Sequence, residues 1–115
     1  MTSELYNENT FYRKFIADLQ SCHSEVIIES PYITAYRMKQ LYPFFSKLMK
    51  KGIRIYIITR SPFEHESKYL FESEFEIQRF ENTGIQVLLC DGNHHRKLAI
   101  IDREILWEGS LNILS

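Results

Sequence analysis

The chain has 115 residues, 44% of them apolar and 25% charged, and a formal net charge of −1. Those values fit one globular domain with room for a hydrophobic core and give no global electrostatic argument for a polyanionic partner. No apolar run approaches the ~20 residues of a membrane helix, and Cys22 and Cys90 are too few and too scattered for a disulfide framework or a zinc site.

The amino-terminal MTSELYNENT has no basic-then-apolar signature, so no signal peptide is expected. Residues 5–20 place Phe11, Phe15, Ile16 and Leu19 at helical spacing, with Asn9 or Thr10 as the cap. His23 near the helix end suits the dipole and is assigned no function. Glu25–Ser30, EVIIES, reads as a short buried strand, and Pro31 bends the chain away from it. Residues 40–51 form an amphipathic helix with Leu41, Phe44, Phe45, Leu48 and Met49 inward. Pro43 is tolerated in a first turn, which puts the helix start near Lys39 to Leu41. Gly52 is a natural residue just past the helix end.

Ile53–Thr59, IRIYIIT, is the clearest strand, and Ser61-Pro62 ends it. Residues 66–82 make a second amphipathic helix with Tyr69, Leu70, Phe71, Phe75, Ile77 and Phe80 at apolar positions and its glutamates on a solvated face. Ile85–Cys90 reads as another buried strand. Asp91-Gly92-Asn93 turns the chain into His94-His95, adjacent residues that face opposite ways on an extended segment and so do not chelate one metal together. His65 falls in a polar loop.

Charge is uneven along the chain. Residues 37–60 hold seven cations and no acid, whereas 64–81 hold six glutamates. The basic stretch either tracks a phosphate backbone or, through Lys47, Lys50 and Lys51, complements the carboxyl end of a helix.

The last segment, HRKLAIIDREILWEGSLNILS, reads as two strands, Lys97–Ile101 and Ile105–Trp107, joined by the polar turn Asp102-Arg103-Glu104. Side chains alternate along a strand, so His95 and Lys97 share a face, and so do Ser110 and Asn112 where the chain is extended. A hairpin that joins the two pairs presents an imidazole, an ammonium, a hydroxyl and a carboxamide on one surface. That set is suited to holding and attacking a tetrahedral anion. The expected order α-β-α-β-α-β-β gives an α/β domain spanning 1–115, with a mixed, partly parallel sheet flanked by helices and ending in a β-hairpin.

His95, Lys97, Asp102, Gly109, Ser110 and Asn112 match the pattern His-x-Lys, four residues, Asp, six residues, Gly-Ser-x-Asn. This resembles the HKD motif of the phospholipase D superfamily, whose members include phospholipases, phosphatidyltransferases and metal-independent nucleases. The resemblance implies a phosphodiesterase without metal or other cofactor. His95 is then the nucleophile that forms a phosphohistidine, and Lys97, Ser110 and Asn112 hold the phosphate. Asp102 belongs to the catalytic motif but is placed at the turn as an anchor.

Such chemistry uses two histidines, so one motif implies a homodimer about a two-fold axis or a second motif in a longer parent. Family domains continue past the position of Ser115, which makes a truncated domain the expectation and leaves Glu29 as a candidate to orient His95. The favoured substrate is DNA or RNA. The alternatives are a phospholipid and a non-catalytic nucleic-acid-binding module. The expected setting is cytoplasmic, with reduced cysteines and no stable membrane association.

Overall fold

The computed structural model describes residues 7–61, 67–91, 96–109 and 113–114, without the side chains of 8 and 67–71. His65, His94, His95, Ser110 and Asn112 lie outside the described residues, as do the side chains of Tyr69, Leu70 and Phe71.

Eight elements follow the expected order: α1 Glu8–Gln20, β1 Glu25–Glu29, α2 Ala35–Lys50, β2 Arg54–Arg60, α3 Ser67–Asn82, β3 Gln86–Cys90, β4 Leu98–Ile101 and β5 Ile105–Glu108. The five strands form one mixed sheet in the order β3-β2-β1-β4-β5. β1, β2 and β3 are parallel, and β4 and β5 add on antiparallel. The fold class is therefore the α/β, partly parallel arrangement that the alternation of strand and helix patterns implies.

Register assigns the two faces. Val26, Ile28, Ile55, Ile57, Ala99 and Ile101 align across the central strands and are all buried. They meet Phe15, Leu19, Met38, Leu41, Phe45 and Phe80 from the helices in one core. Residues on the opposite register, Ile27, Tyr56, Ile58 and Ile100, are half-buried, and Leu88 and Leu106 beside them are exposed. The helices pack α1 on α2 and α2 on α3.

Four local expectations are corrected. Asn7, not Asn9 or Thr10, caps α1: its side chain accepts from the Thr10 N–H while the Thr10 hydroxyl accepts from the Asn7 N–H. α2 starts at Ala35, five residues or so before the position that Pro43 suggested, because Thr34 supplies the cap by accepting from the Arg37 N–H. Pro43 thus sits inside the helix. Both Pro43 and Lys39, whose carbonyl is left without its helical donor, are exposed residues.

β3 is an edge strand rather than a buried one, with Leu88 61% and Leu89 46% exposed. An apolar run alone does not distinguish the two. On α3, Phe75 points outward, whereas Glu76 is buried and Glu72 accepts the Ala35 N–H at the start of α2. Those glutamates are therefore not all on a solvated face. Burial pushes the Glu76 carboxyl above the ordinary range, helped by Glu72 and opposed by Arg79.

Candidate active site

Parallel strands carry their carboxyl ends to one edge of the sheet. β1, β2 and β3 end there, antiparallel β4 begins there, and β5 ends there. β1 is the central strand, its crossover connection leading to β2 on one side while β4 and β5 extend the other. Ligands in open α/β sheets bind at such a reversal. Glu29, Ser30, Arg60 and Lys97 all stand at this edge.

The two arms of the carboxyl-terminal pattern meet there. Beyond the last paired residues, Leu98 and Glu108, the Gly109 N–H donates to the Lys97 carbonyl at 3.2 Å. Lys97 and Gly109 are therefore opposite one another, and Lys97 is half-buried. Among the described residues a Cβ at Gly109 would meet nothing within 4 Å, so open space fronts this rung.

The chain just after Asn112 is tied back to the same edge. Thr34 N–H donates to the Leu114 carbonyl at 2.8 Å. The Leu114 N–H donates to the buried Ser30 hydroxyl at 3.2 Å, and that hydroxyl donates to the Tyr32 carbonyl at 3.0 Å. Tyr12 on α1 donates its hydroxyl to the Ile113 carbonyl at 2.9 Å. The bend at Ser30-Pro31-Tyr32 is thus part of the support for the site, and Tyr32 itself accepts a hydrogen bond from Arg60 Nη1.

Asp102 is at the opposite end of β4 from Lys97, five residues away, or about 16 Å along an extended strand. It does not join the candidate phosphate site directly. Its side chain is only 7% exposed. Oδ1 accepts from the N–H groups of Ser24 and Glu25, the Ser24 hydroxyl and the Cys22 thiol. Oδ2 accepts the His23 N–H and pairs with His23 Nδ1 at 2.9 Å. His23, read from sequence as complementing the helix dipole, thus has a carboxylate as its partner.

Burial raises the Asp102 carboxyl, but the donors of Glu25, His23 and Ser24 outweigh it and hold the group well below the ordinary carboxylate range. Asp102 and Arg103 have φ of 55° and 58°, and the Glu104 N–H closes onto the Ile101 carbonyl. The three-residue connection Asp102-Arg103-Glu104 between the paired Ile101 and Ile105 thus opens with two left-handed residues, and aspartate is among the few side chains that adopt that backbone readily.

Cys22 is drawn into the same anchor. Burial, then its bond to Asp102, pushes the thiol from 9.0 up to about 11. Its contribution to stability is complete below the ordinary thiol range and is lost as pH rises through that value. Iodoacetamide at pH 8 is accordingly expected to label the half-buried Cys90 at least about tenfold faster than Cys22, read by peptide mass spectrometry.

The basic stretch divides between the two ends of the sheet. Lys47, Lys50, Lys51 and Arg54 lie at the carboxyl end of α2 and the start of β2, away from the candidate site. Arg37, Lys39 and Arg60 lie toward it. Arg37 is buried, its guanidinium 3.6 Å over the Tyr12 ring. In the sequence Arg37 is one charge of a basic block, and nothing local marks Tyr12, whose hydrogen-bond partner Ile113 lies 101 residues away.

A family model described as "Cardiolipin synthase, PLD-like domain" matches residues 15–114. Among solved structures, NucT from Helicobacter pylori is similar with a TM-score of 0.62 at 20% sequence identity. That match covers 89% of this chain and 66% of NucT, so the chain spans slightly less than two-thirds of that relative. No curated protein sequence matches. With nearly the whole chain under the family model, this chain belongs to the phospholipase D superfamily.

Proposed function

We propose that the domain is a metal-independent phosphodiesterase of the nuclease type, acting on DNA or RNA through a phosphohistidine on His95. The observation that carries this reading is the Gly109–Lys97 hydrogen bond at the sheet edge, which sets the two halves of the pattern side by side. In the proposed reaction an imidazole nitrogen of His95 attacks phosphorus, and the P–O bond to the leaving strand breaks. The leaving oxygen takes a proton from a second histidine. Water then attacks the phosphohistidine, giving up its proton to that second histidine and releasing His95.

Lys97 neutralises a non-bridging oxygen as a fixed charge, while Ser110 and Asn112 donate to the same group. These donors take over the charge stabilisation that a metal gives other phosphodiesterases. Asp102 acts as a positioning residue, fixing the far end of β4. The second histidine comes from another copy of the chain about a two-fold axis, or from a second motif in a longer parent.

The test is cleavage of single- and double-stranded DNA and of RNA in EDTA, with acid-stable and acid-labile adducts examined after rapid quenching. Cleavage with an acid-labile phosphoryl group on His95 is expected, and turnover without that adduct would sink the proposed intermediate. Lys97→Met is expected to lower kcat by about 10²–10³-fold, measured on the same substrate.

The family model's own description favours a second reading, in which the same chemistry acts on a phospholipid. No described helix is long and apolar enough to cross a membrane. Turnover of phosphatidylglycerol vesicles without nucleic-acid cleavage would establish the lipid reading in place of the first. A binding module that keeps the phosphate pocket is the third, distinguished by salt-dependent DNA binding with no adduct.

A further inference from the structure

We infer that Tyr12, roofed by Arg37, is a positioning residue that fixes Ile113, the residue directly after Asn112 of the motif, at the sheet edge; the inference rests on the phosphodiesterase reading above. The Tyr12 hydroxyl donates to the carbonyl of Ile113, the residue immediately after Asn112. Tyr12 is buried at the edge of the core, and Phe11 beside it meets Tyr12 and Trp107 edge-on. Trp107 in turn donates its indole N–H to Asp18 at 2.9 Å. α1 therefore grips the chain at Trp107, before the Gly-Ser-x-Asn part of the motif, and at Ile113, directly after it.

The guanidinium of Arg37 lies 3.6 Å from the Tyr12 ring centroid, and its Nη1 donates to Gln40. A planar cation on this face fixes the ring in place, which lysine does not reproduce. Ser30 and Thr34 hold the next residue, Leu114, from the β1 side. The residues on either side of Ser110 and Asn112 in the chain, Gly109 on the β4 ladder and the 113–114 turn, are thus both fixed. Moving one of them displaces donors that act only when placed to within a fraction of an ångström. Tyr12 itself precedes residue 15, where the family match begins.

The test compares wild type, Tyr12→Phe and Arg37→Lys in the full chain by peptide-resolved amide hydrogen exchange, thermal melting and kinetics in EDTA. Tyr12→Phe keeps the ring and removes only the donor. Exchange in the peptide covering 109–115 is expected to rise about fivefold, the population effect of one lost hydrogen bond, with little change elsewhere. In the same variant kcat is expected to fall about tenfold at unchanged KM. Inhibition by orthovanadate, an oxyanion that reports the phosphate pocket, is expected to weaken alongside it.

Arg37→Lys should fall between wild type and Tyr12→Phe. Unchanged exchange at 109–115 overturns the clamp, and so does faster exchange with an unchanged kcat. A loss of kcat that merely follows the folded fraction at assay temperature also overturns it. A wild-type chain that exchanges as expected but cleaves no phosphodiester refutes the function instead.

Discussion

Asp102→Ala is expected to cost about 2–3 kcal/mol of stability, the scale of hydrogen bonds to a charged acceptor whose side chain is itself shielded from water. The carboxylate receives the N–H groups of three successive residues, His23, Ser24 and Glu25. Alanine leaves all three without that acceptor between α1 and β1; the exposed His23 and Ser24 can turn to water, whereas the half-buried Glu25 N–H cannot do so freely. A domain of this size would then melt roughly 10 °C lower, and Cys22 would lose the partner that helps keep its thiol protonated.

Asp102→Asn keeps one acceptor oxygen and presents an amide to the remaining donors, so it should fall between alanine and wild type. The pH dependence has a definite sign. Folding lowers this carboxyl's pKa, so its contribution is fully present above the unfolded value of about 3.9 and is lost as pH falls below that value. Urea titrations of wild type and Asp102→Asn should therefore differ by a constant amount from about pH 5 to 8 and converge in stronger acid. A gap that stays open at low pH would show that shape, not charge, stabilises the anchor.

His95→Ala is expected to lower phosphodiester cleavage at least about 10⁴-fold, the scale on which loss of a nucleophile is felt, with the fold intact by circular dichroism. Mixing that variant with wild type also tests how the site is assembled. If each site takes one histidine from each of two exchanging subunits, a mixed dimer is dead. An equal mixture then retains roughly a quarter of the wild-type rate, against half for sites completed within one chain. A linear decline with variant fraction would exclude the two-chain site, while residual full activity would remove His95 from the mechanism.

The sequence is informative about this fold because its strands are short β-branched runs separated by strong breakers. IRIYIIT between Gly52 and Ser61-Pro62 becomes β2 within a residue, and Gly52 and Gly84, at φ of 80° and 94°, end the helices as their position suggests. Start positions were harder to place. The start of α2 depends on Thr34 accepting a hydrogen bond three residues on, a signal that Pro43 obscured. The exposure of β3 could not be read from IQVLLC, because an edge strand and a central one can share the same apolar composition.

At the site, alternation and spacing identify Lys97 and Gly109 as facing arms, which the Gly109–Lys97 hydrogen bond joins. The same pattern does not reveal that Asp102 belongs to the opposite end of the sheet, since spacing along a chain does not indicate direction in space. Tyr12, Ser30 and Arg37 gave still less warning. The partners that tie them to the site, Ile113, Leu114 and Tyr12, lie far away in sequence, and each residue type has commoner explanations where it stands.

The placement of Asp102 changes what the four residues between it and Lys97 signify. They act as a ruler. One end of β4 is nailed to the loop after α1 by a ring of hydrogen bonds, and the three-residue turn, closed by the Glu104 N–H on the Ile101 carbonyl, adds little length to absorb an error. The length of the strand then decides where the ammonium of Lys97 comes to rest. Insertion of one residue between Lys97 and Asp102 would shift that ammonium by about 3.3 Å and turn it to the other face of the sheet, though every chemical group of the motif would still be present. The motif's spacing thus specifies a distance as well as a set of reactive groups.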